Sequence, residues 1–149
     1  LEALHDPVSV AWAVTQAALA WGDLPLADER SAELVRRLPD GGLAWALRGQ
    51  VLARRGDDEG ALDALGRACT LAPRQVFPVA AFEPVIQRAL TDDASPERWS
   101  LAGELSFRAG RWGEATTRWR RAESLWGPSV PAWHRGWVSR FAPAPAQTP

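Results

Sequence analysis

Residues 45–73 read WALRGQVLARRGDDEGALDALGRACTLAP, and residues 99–127 read WSLAGELSFRAGRWGEATTRWRRAESLWG. Shifted by 54 residues, Trp45, Gly49, Gly56, Ala61, Leu65, Ala68 and Leu71 fall on Trp99, Gly103, Gly110, Ala115, Trp119, Ala122 and Leu125. Each stretch holds two helix-forming runs parted by a glycine, Gly56 or Gly110, so each is predicted to be two helices joined by a tight turn. A hairpin of this size cannot bury its apolar face alone; neighbouring copies must stack to close a core.

The landmarks have steric reasons. Gly49 and Ala61 are expected to face each other across the helix pair, where small residues let the backbones approach to the roughly 8–10 Å of close helix packing. Gly56 suits the left-handed conformation that stops a helix, and Asp57 or Asp58 can cap the next one. Pro73 ends the second helix, since a proline in a helix interior costs about 3 kcal/mol. Gly127, with Pro128 behind it, supplies the stop in the later copy.

Together, the Trp, the two Gly, the small Ala, the aromatic at 119 and the closing Pro resemble the tetratricopeptide repeat, a helix-turn-helix unit of about 34 residues. The resemblance implies an all-α fold, a right-handed α-α superhelix of stacked hairpins, and a role as a non-catalytic scaffold for protein–protein interaction.

Working outward, a weaker copy spans about residues 8–41, where Gly22, Ala27 and Pro39 occupy the places of Gly56, Ala61 and Pro73. Asp6 before Pro7 gives a helix start, so a first helix is expected over about 7–21. The second and third copies cover about 42–75 and 96–129. Between them lie 20 extra residues, 76–95, with Pro78, Pro84 and the apolar Phe77, Val79, Phe82, Val85, Ile86 and Leu90. They are too few for a repeat and too apolar for a linker; a short irregular piece and one helix over about 83–91 are expected. Trp133 falls 34 residues after Trp99, which predicts a terminal single helix over 131–141. The tail, 142–149, is Pro/Ala-rich and reads as a disordered linker. The whole of 1–141 is expected to form a single domain.

Composition narrows the function. The formal net charge is −1, so the chain as a whole is no electrostatic binder of nucleic acid or acidic membrane. One cysteine, Cys69, excludes an internal disulfide framework and a cysteine-based zinc site. No apolar run is long enough to span a bilayer. Every Lys/Arg position is arginine, and Lys, Tyr, Asn and Met are absent, a GC-rich bacterial coding bias. A cytoplasmic setting is expected, with periplasm or export as the alternative. The chain begins at Leu1, which is read as a piece of a longer or processed polypeptide.

Catalysis finds little to stand on. The two histidines, His5 and His134, have no cysteine partner and no metal-ligand spacing, and no phosphate-cradling loop or nucleophile elbow occurs. Asp57, Asp58 and Glu59 cluster where a helix start favours acidic residues. Neither cofactor nor metal is expected.

In tetratricopeptide proteins the first helices of successive pairs line a concave groove. That resemblance assigns partner binding here to Trp12, Gln16, Gln50, Arg54, Ser100, Glu104, Phe107, Arg108 and His134. Ala46, Leu47, Gln50, Glu97 and Leu101 stand where family members that clamp a terminal carboxylate carry Lys, Asn and Arg, which argues against that clamp. Arg54 and Arg108 occupy equivalent places and either face the groove or cap their own helices. Gln16 and Gln50 are likewise equivalent, suited to an extended backbone or simply solvated.

A second surface is the aromatic end formed by Trp126, Trp133, Trp137 and Phe141. It is read as a bulky core, as a face covered by a missing helix, or as a homodimer interface. The third class, nucleic acid, rests on eight arginines against four glutamates in residues 96–149, with Arg118-Trp119-Arg120-Arg121 among them. Arginines spaced three or four residues from Glu114 and Glu123 make ordinary helix-surface pairs, so this class is the weakest of the three.

Overall fold

The computed structural model describes residues 6–75 and 78–141, with Phe141 described in its backbone only. His5, Phe77, the tail 142–149 and the side chain of Phe141 therefore lie outside the described residues. The described residues are helical and contain no strand. Their order is α1 (Pro7–Trp21), α2 (Leu24–Arg37), α3 (Gly42–Arg54), α4 (Asp58–Leu71), a 3-10 turn (Val79–Phe82), α5 (Glu83–Ala89), α6 (Pro96–Arg108), α7 (Trp112–Trp126) and α8 (Ala132–Phe141).

One local device recurs in three hairpins. Gly22, Gly56 and Gly110 adopt φ of 80°, 83° and 78°, a left-handed conformation that costs glycine nothing and other residues about 1 kcal/mol or more. At each, the next residue's N–H reaches back to a carbonyl five residues earlier: Asp23 to Ala18 at 2.9 Å, Asp57 to Leu52 at 2.9 Å, Arg111 to Ser106 at 2.8 Å. The chain reverses, and the following helix starts at once. Asp23 caps α2 through Leu26 N–H at 3.2 Å, and Asp57 caps α4 through Gly60 N–H at 2.9 Å. Asp6 caps α1, accepting from the Ser9 N–H at 3.1 Å and the Ser9 hydroxyl at 2.8 Å.

The helices pack as neighbours in sequence: α1 on α2, α3 on α4, α6 on α7, with α2 also against α3. The chain divides into two compact units, Leu1–Arg88 and Ala89–Pro149.

In the first unit, Ala11, Leu34, Ala44 and Leu47 form one buried cluster with Val8, Trp12 and Leu38 around it, and Ala18, Ala27 and Val51 form another. Arg48 and Arg55 of the α3 region both reach Asp28 on α2, at 2.6 Å and 2.5 Å, and Arg48 also donates to the Ser31 hydroxyl at 2.9 Å. Burial on its own would raise the Asp28 carboxyl, but the two guanidinium hydrogen bonds outweigh it and hold Asp28 below its ordinary value of 3.8.

The expected Gly49–Ala61 approach is present, with a third participant. A Cβ on Gly49 would come within 3.4 Å of the Ala61 carbonyl, but within 2.9 Å of the Phe82 ring. Phe82 is fully buried and comes from the inserted segment, which thereby fills the space over α3. In the second unit the same space, over Gly103, is filled from within the hairpin: a Cβ there would meet Trp119 at 2.4 Å. Leu65, equivalent to Trp119, is smaller, which leaves room for Phe82. The insertion is a 3-10 turn running into α5, so its helix stops at Ala89 rather than near 91. The terminal helix starts at Ala132, with the Pro131 carbonyl accepting the Arg135 N–H at 3.3 Å.

The framework tryptophans share a further feature. Arg67 lies over Trp45 at 4.7 Å and Arg121 over Trp99 at 6.0 Å, two pairs related by the same 54-residue shift.

Candidate functional site

In the first unit, the end of α1, the second half of α3 and the inserted segment enclose a cleft of about 550 Å³, lined by Leu19, Ala20, Gln50, Ala53, Arg54, Ala81, Pro84, Val85 and Arg88. Gln50 and Arg54 are one helical turn apart on α3, which puts both on its cleft side. The Arg54 guanidinium donates to the Leu19 carbonyl at 3.4 Å. It thus leans on the C-terminal end of α1, where the dipole favours a cation, and does not cap its own helix. Across the cleft, Arg88 grips Asp58 through two hydrogen bonds of 2.7 and 2.9 Å, and Asp58 holds the guanidinium more firmly protonated.

A second cleft of about 610 Å³ opens beside Trp12, between Leu38–Ala44 and Leu71–Gln75. Trp12 is half-buried there, whereas Gln16 is exposed and lines neither cleft. The equivalence of Gln16 and Gln50 in sequence therefore does not carry over to their surroundings.

The second unit corrects the expectation of an accessible face. Ser100, Glu104 and His134 have no exposed surface. The Ser100 Oγ lies 2.7 Å from His134 Nδ1, and His134 Nε2 lies 2.9 Å from Glu123 Oε1. A carboxylate at Nε2 assigns the proton to that nitrogen, leaving Nδ1 to accept the serine hydroxyl. Hydroxyl, imidazole and carboxylate in a chain are the connectivity of an activated nucleophile. Ser100, however, presents no surface to an electrophile. In this geometry the chain of bonds ties α8 to α6 and α7. The imidazole sits among tryptophan edges, with centroids 5.0 Å from Trp126, 6.2 Å from Trp133 and 6.5 Å from Trp119.

Glu104 makes the second tie. Its Oε1 accepts from Arg108 at 3.0 Å and from Arg140 of α8 at 2.6 Å. Arg140 also lies over the Phe107 ring at 5.7 Å. Phe107 itself packs at 5.9 Å from Trp119. Arg108 is thus committed to Glu104 rather than presented to a groove. These residues form a polar core because α6 carries Ser100, Glu104 and Arg108 four residues apart, on one face, and α8 covers that face.

The aromatic end is partly exposed. Trp133 is 40% exposed and meets Trp126 at 5.5 Å and Trp137 at 4.8 Å, both edge-on. Trp137 is buried and Trp126 half-buried. Among the described residues, no group of His, Cys, Asp and Glu is arranged to hold a metal ion, and no helix is long and apolar enough to cross a membrane.

Sequence reasoning missed Glu123, Arg140 and Arg88. His134 lies 34 residues after Ser100, one repeat length, and that spacing was a readable signal for the first tie. Arg88 and the cleft wall belong to the non-repeating insertion, for which the repeat supplies no position.

No protein-family model matches this chain, and no curated protein matches it in sequence.

Proposed function

We propose that this chain is a non-catalytic protein-binding module, a right-handed solenoid of tetratricopeptide-like hairpins that takes an extended protein segment in the cleft between α1, α3 and the inserted α5. The observation that carries this reading is the cleft itself. It has about 550 Å³, inside the roughly 300–1,000 Å³ range of ligand sites, with an apolar floor and a few convergent polar groups. Gln50, one of its polar groups, makes no side-chain hydrogen bond among the described residues, so an amide donor and an amide acceptor are both unspent beside an apolar surface. That is the complement of an extended backbone. The three glycine turns at 34- and 54-residue spacing and the paired Trp–Arg contacts support the repeat reading behind it.

The test is selection of peptides from a random display library on the intact protein, followed by competition with Ala53→Trp. Ala53 lines the cleft without being fully buried, so the indole fills the site while the helix persists. Selected peptides should bind the variant at least about tenfold more weakly, a loss of roughly 1.4 kcal/mol. Failure to select any peptide, or binders indifferent to Ala53→Trp, would overturn the reading.

A second reading, self-association, is favoured by Trp133 standing 40% exposed on a stack of two further tryptophans. Light scattering across a concentration series, with Trp133→Ala as the variant, decides it. Trp137 is a poor choice because it is buried. A dimer lost in the variant would favour this face, and a monomer throughout would remove it.

A further inference from the structure

We infer that the segment held in the α1/α3/α5 cleft carries an acidic side chain flanked by small apolar residues; this rests on the cleft being the binding site. The polar groups lining it are an amide and two guanidiniums, Gln50, Arg54 and Arg88, and no carboxylate lines it. The two cations are not equivalent. Arg88 is balanced by the bidentate contact with Asp58. Arg54 is exposed, and among the described residues its side chain makes one hydrogen bond, a long one of 3.4 Å to the neutral Leu19 carbonyl. A guanidinium has five donors in a planar fork matched to a carboxylate. Arg54 therefore retains both charge and donors at the lip of the cleft.

The floor sets the flanking residues. Leu19, Ala53, Pro84 and Val85 are aliphatic, and no aromatic ring lines the cleft. Small apolar side chains fit such a surface, with Gln50 alongside to take the backbone. The unit around the cleft is itself acidic, twelve Asp and Glu against nine Arg in residues 1–88, so the lip is a local exception to its surroundings. Attraction to an acidic segment is then confined to Arg54 and its neighbourhood, and falls with salt as exposed charges are screened.

The experiment reads the composition and energetics of peptides selected from a random heptapeptide library on the intact protein. The best binder is resynthesised with both ends blocked, alongside a version with its acid replaced by Gln. We expect enrichment of Asp or Glu, about tenfold weaker binding of the Gln version at low salt, and loss of that difference in Arg54→Ala. Arg120→Ala, an exposed arginine of the other unit, should change nothing. Binders without an acidic residue, or equal binding of the Gln version, with Ala53→Trp still blocking, overturn the acidic partner and leave the cleft standing. Binders indifferent to Ala53→Trp, or none, overturn both.

Discussion

At the scale of single residues, the glycines of this chain separate into positions where a side chain has no room and positions where it is missed. A Cβ on Gly103 would lie 2.4 Å from Trp119 Cδ1 and 2.6 Å from its Nε1. The indole cannot step aside, because it is buried and its Nε1 donates to the Ser100 carbonyl at 3.1 Å. Gly103→Ala should therefore cost close to the upper end of the about 1–3 kcal/mol typical of overpacking. At Gly49 the contact is 2.9 Å to the Phe82 ring, and Phe82 comes from a separate short segment that can shift with it, so Gly49→Ala should cost less. Gly66 is the contrary case: it lies inside α4 with nothing within 4 Å of its Cβ position. Gly66→Ala should stabilise by about 0.5–1 kcal/mol through the lower entropy of the unfolded chain. Urea unfolding followed by circular dichroism ranks all three; a Gly103→Ala protein as stable as wild type would break the account of how Trp119 is seated.

At the scale of elements, polar ties decide which helices stay together. α8 is joined to its neighbours through His134 and Arg140, and the Arg140 tie ends on a fully buried carboxylate, Glu104. Glu104→Leu removes the carboxylate that both Arg108, in a nearly closed site, and Arg140 contact, and deleting one partner of a buried ion pair costs about 3–5 kcal/mol; the partial exposure of Arg140 places the expectation near 3 kcal/mol. Hydrogen exchange should show the amides of α8 losing protection before those of α6 and α7, and uniform loss would mean that the tie is not specific to α8. In the first unit the corresponding tie is Asp28, whose carboxyl is held below 3.8 by Arg48 and Arg55 against the opposing effect of burial. A depressed carboxyl stabilises the folded state above its unfolded value and loses that contribution as pH falls through the folded one. The gap in melting temperature between wild type and Asp28→Asn should be full at pH 6 and close as the pH drops below about 3.8. A gap independent of pH would remove the charge from the explanation. The repeat made the hairpin ends readable in the sequence, because Gly22, Gly56 and Gly110 act within one turn of themselves. It could not show Asp28 meeting Arg48, or Arg140 reaching Glu104, since those contacts depend on how separate helices settle against each other. The wall of the cleft was unreadable for a different reason: residues 79–88 follow no repeat, and only their packing on Gly49 places them.

At the scale of the whole molecule, the distribution of charge bears on partners. Residues 89–149 carry eight arginines and six acids, and residues 1–88 carry nine against twelve, so the second unit is the natural place for a polyanion to bind. Its arginines are largely engaged within the fold. Arg108 and Arg140 share Glu104, while Arg111 and Arg118 each lie 2.8 Å from Glu114. Arg118 is buried, donating to Ser106 at 2.8 Å and to the Ala102 carbonyl at 3.3 Å. Arg121 lies over Trp99. Trp119, the aromatic between Arg118 and Arg120, is buried and offers no face for a base to stack on. Binding single-stranded nucleic acid needs several phosphates neutralised along a groove with exposed rings beside it. A labelled oligonucleotide titrated with the protein at 50 mM salt should give no saturable binding. A tight complex whose log affinity falls with log salt at a slope of about −2 or steeper would require about three phosphate contacts, and would mean that these arginines leave Glu104 and Glu114 to make them.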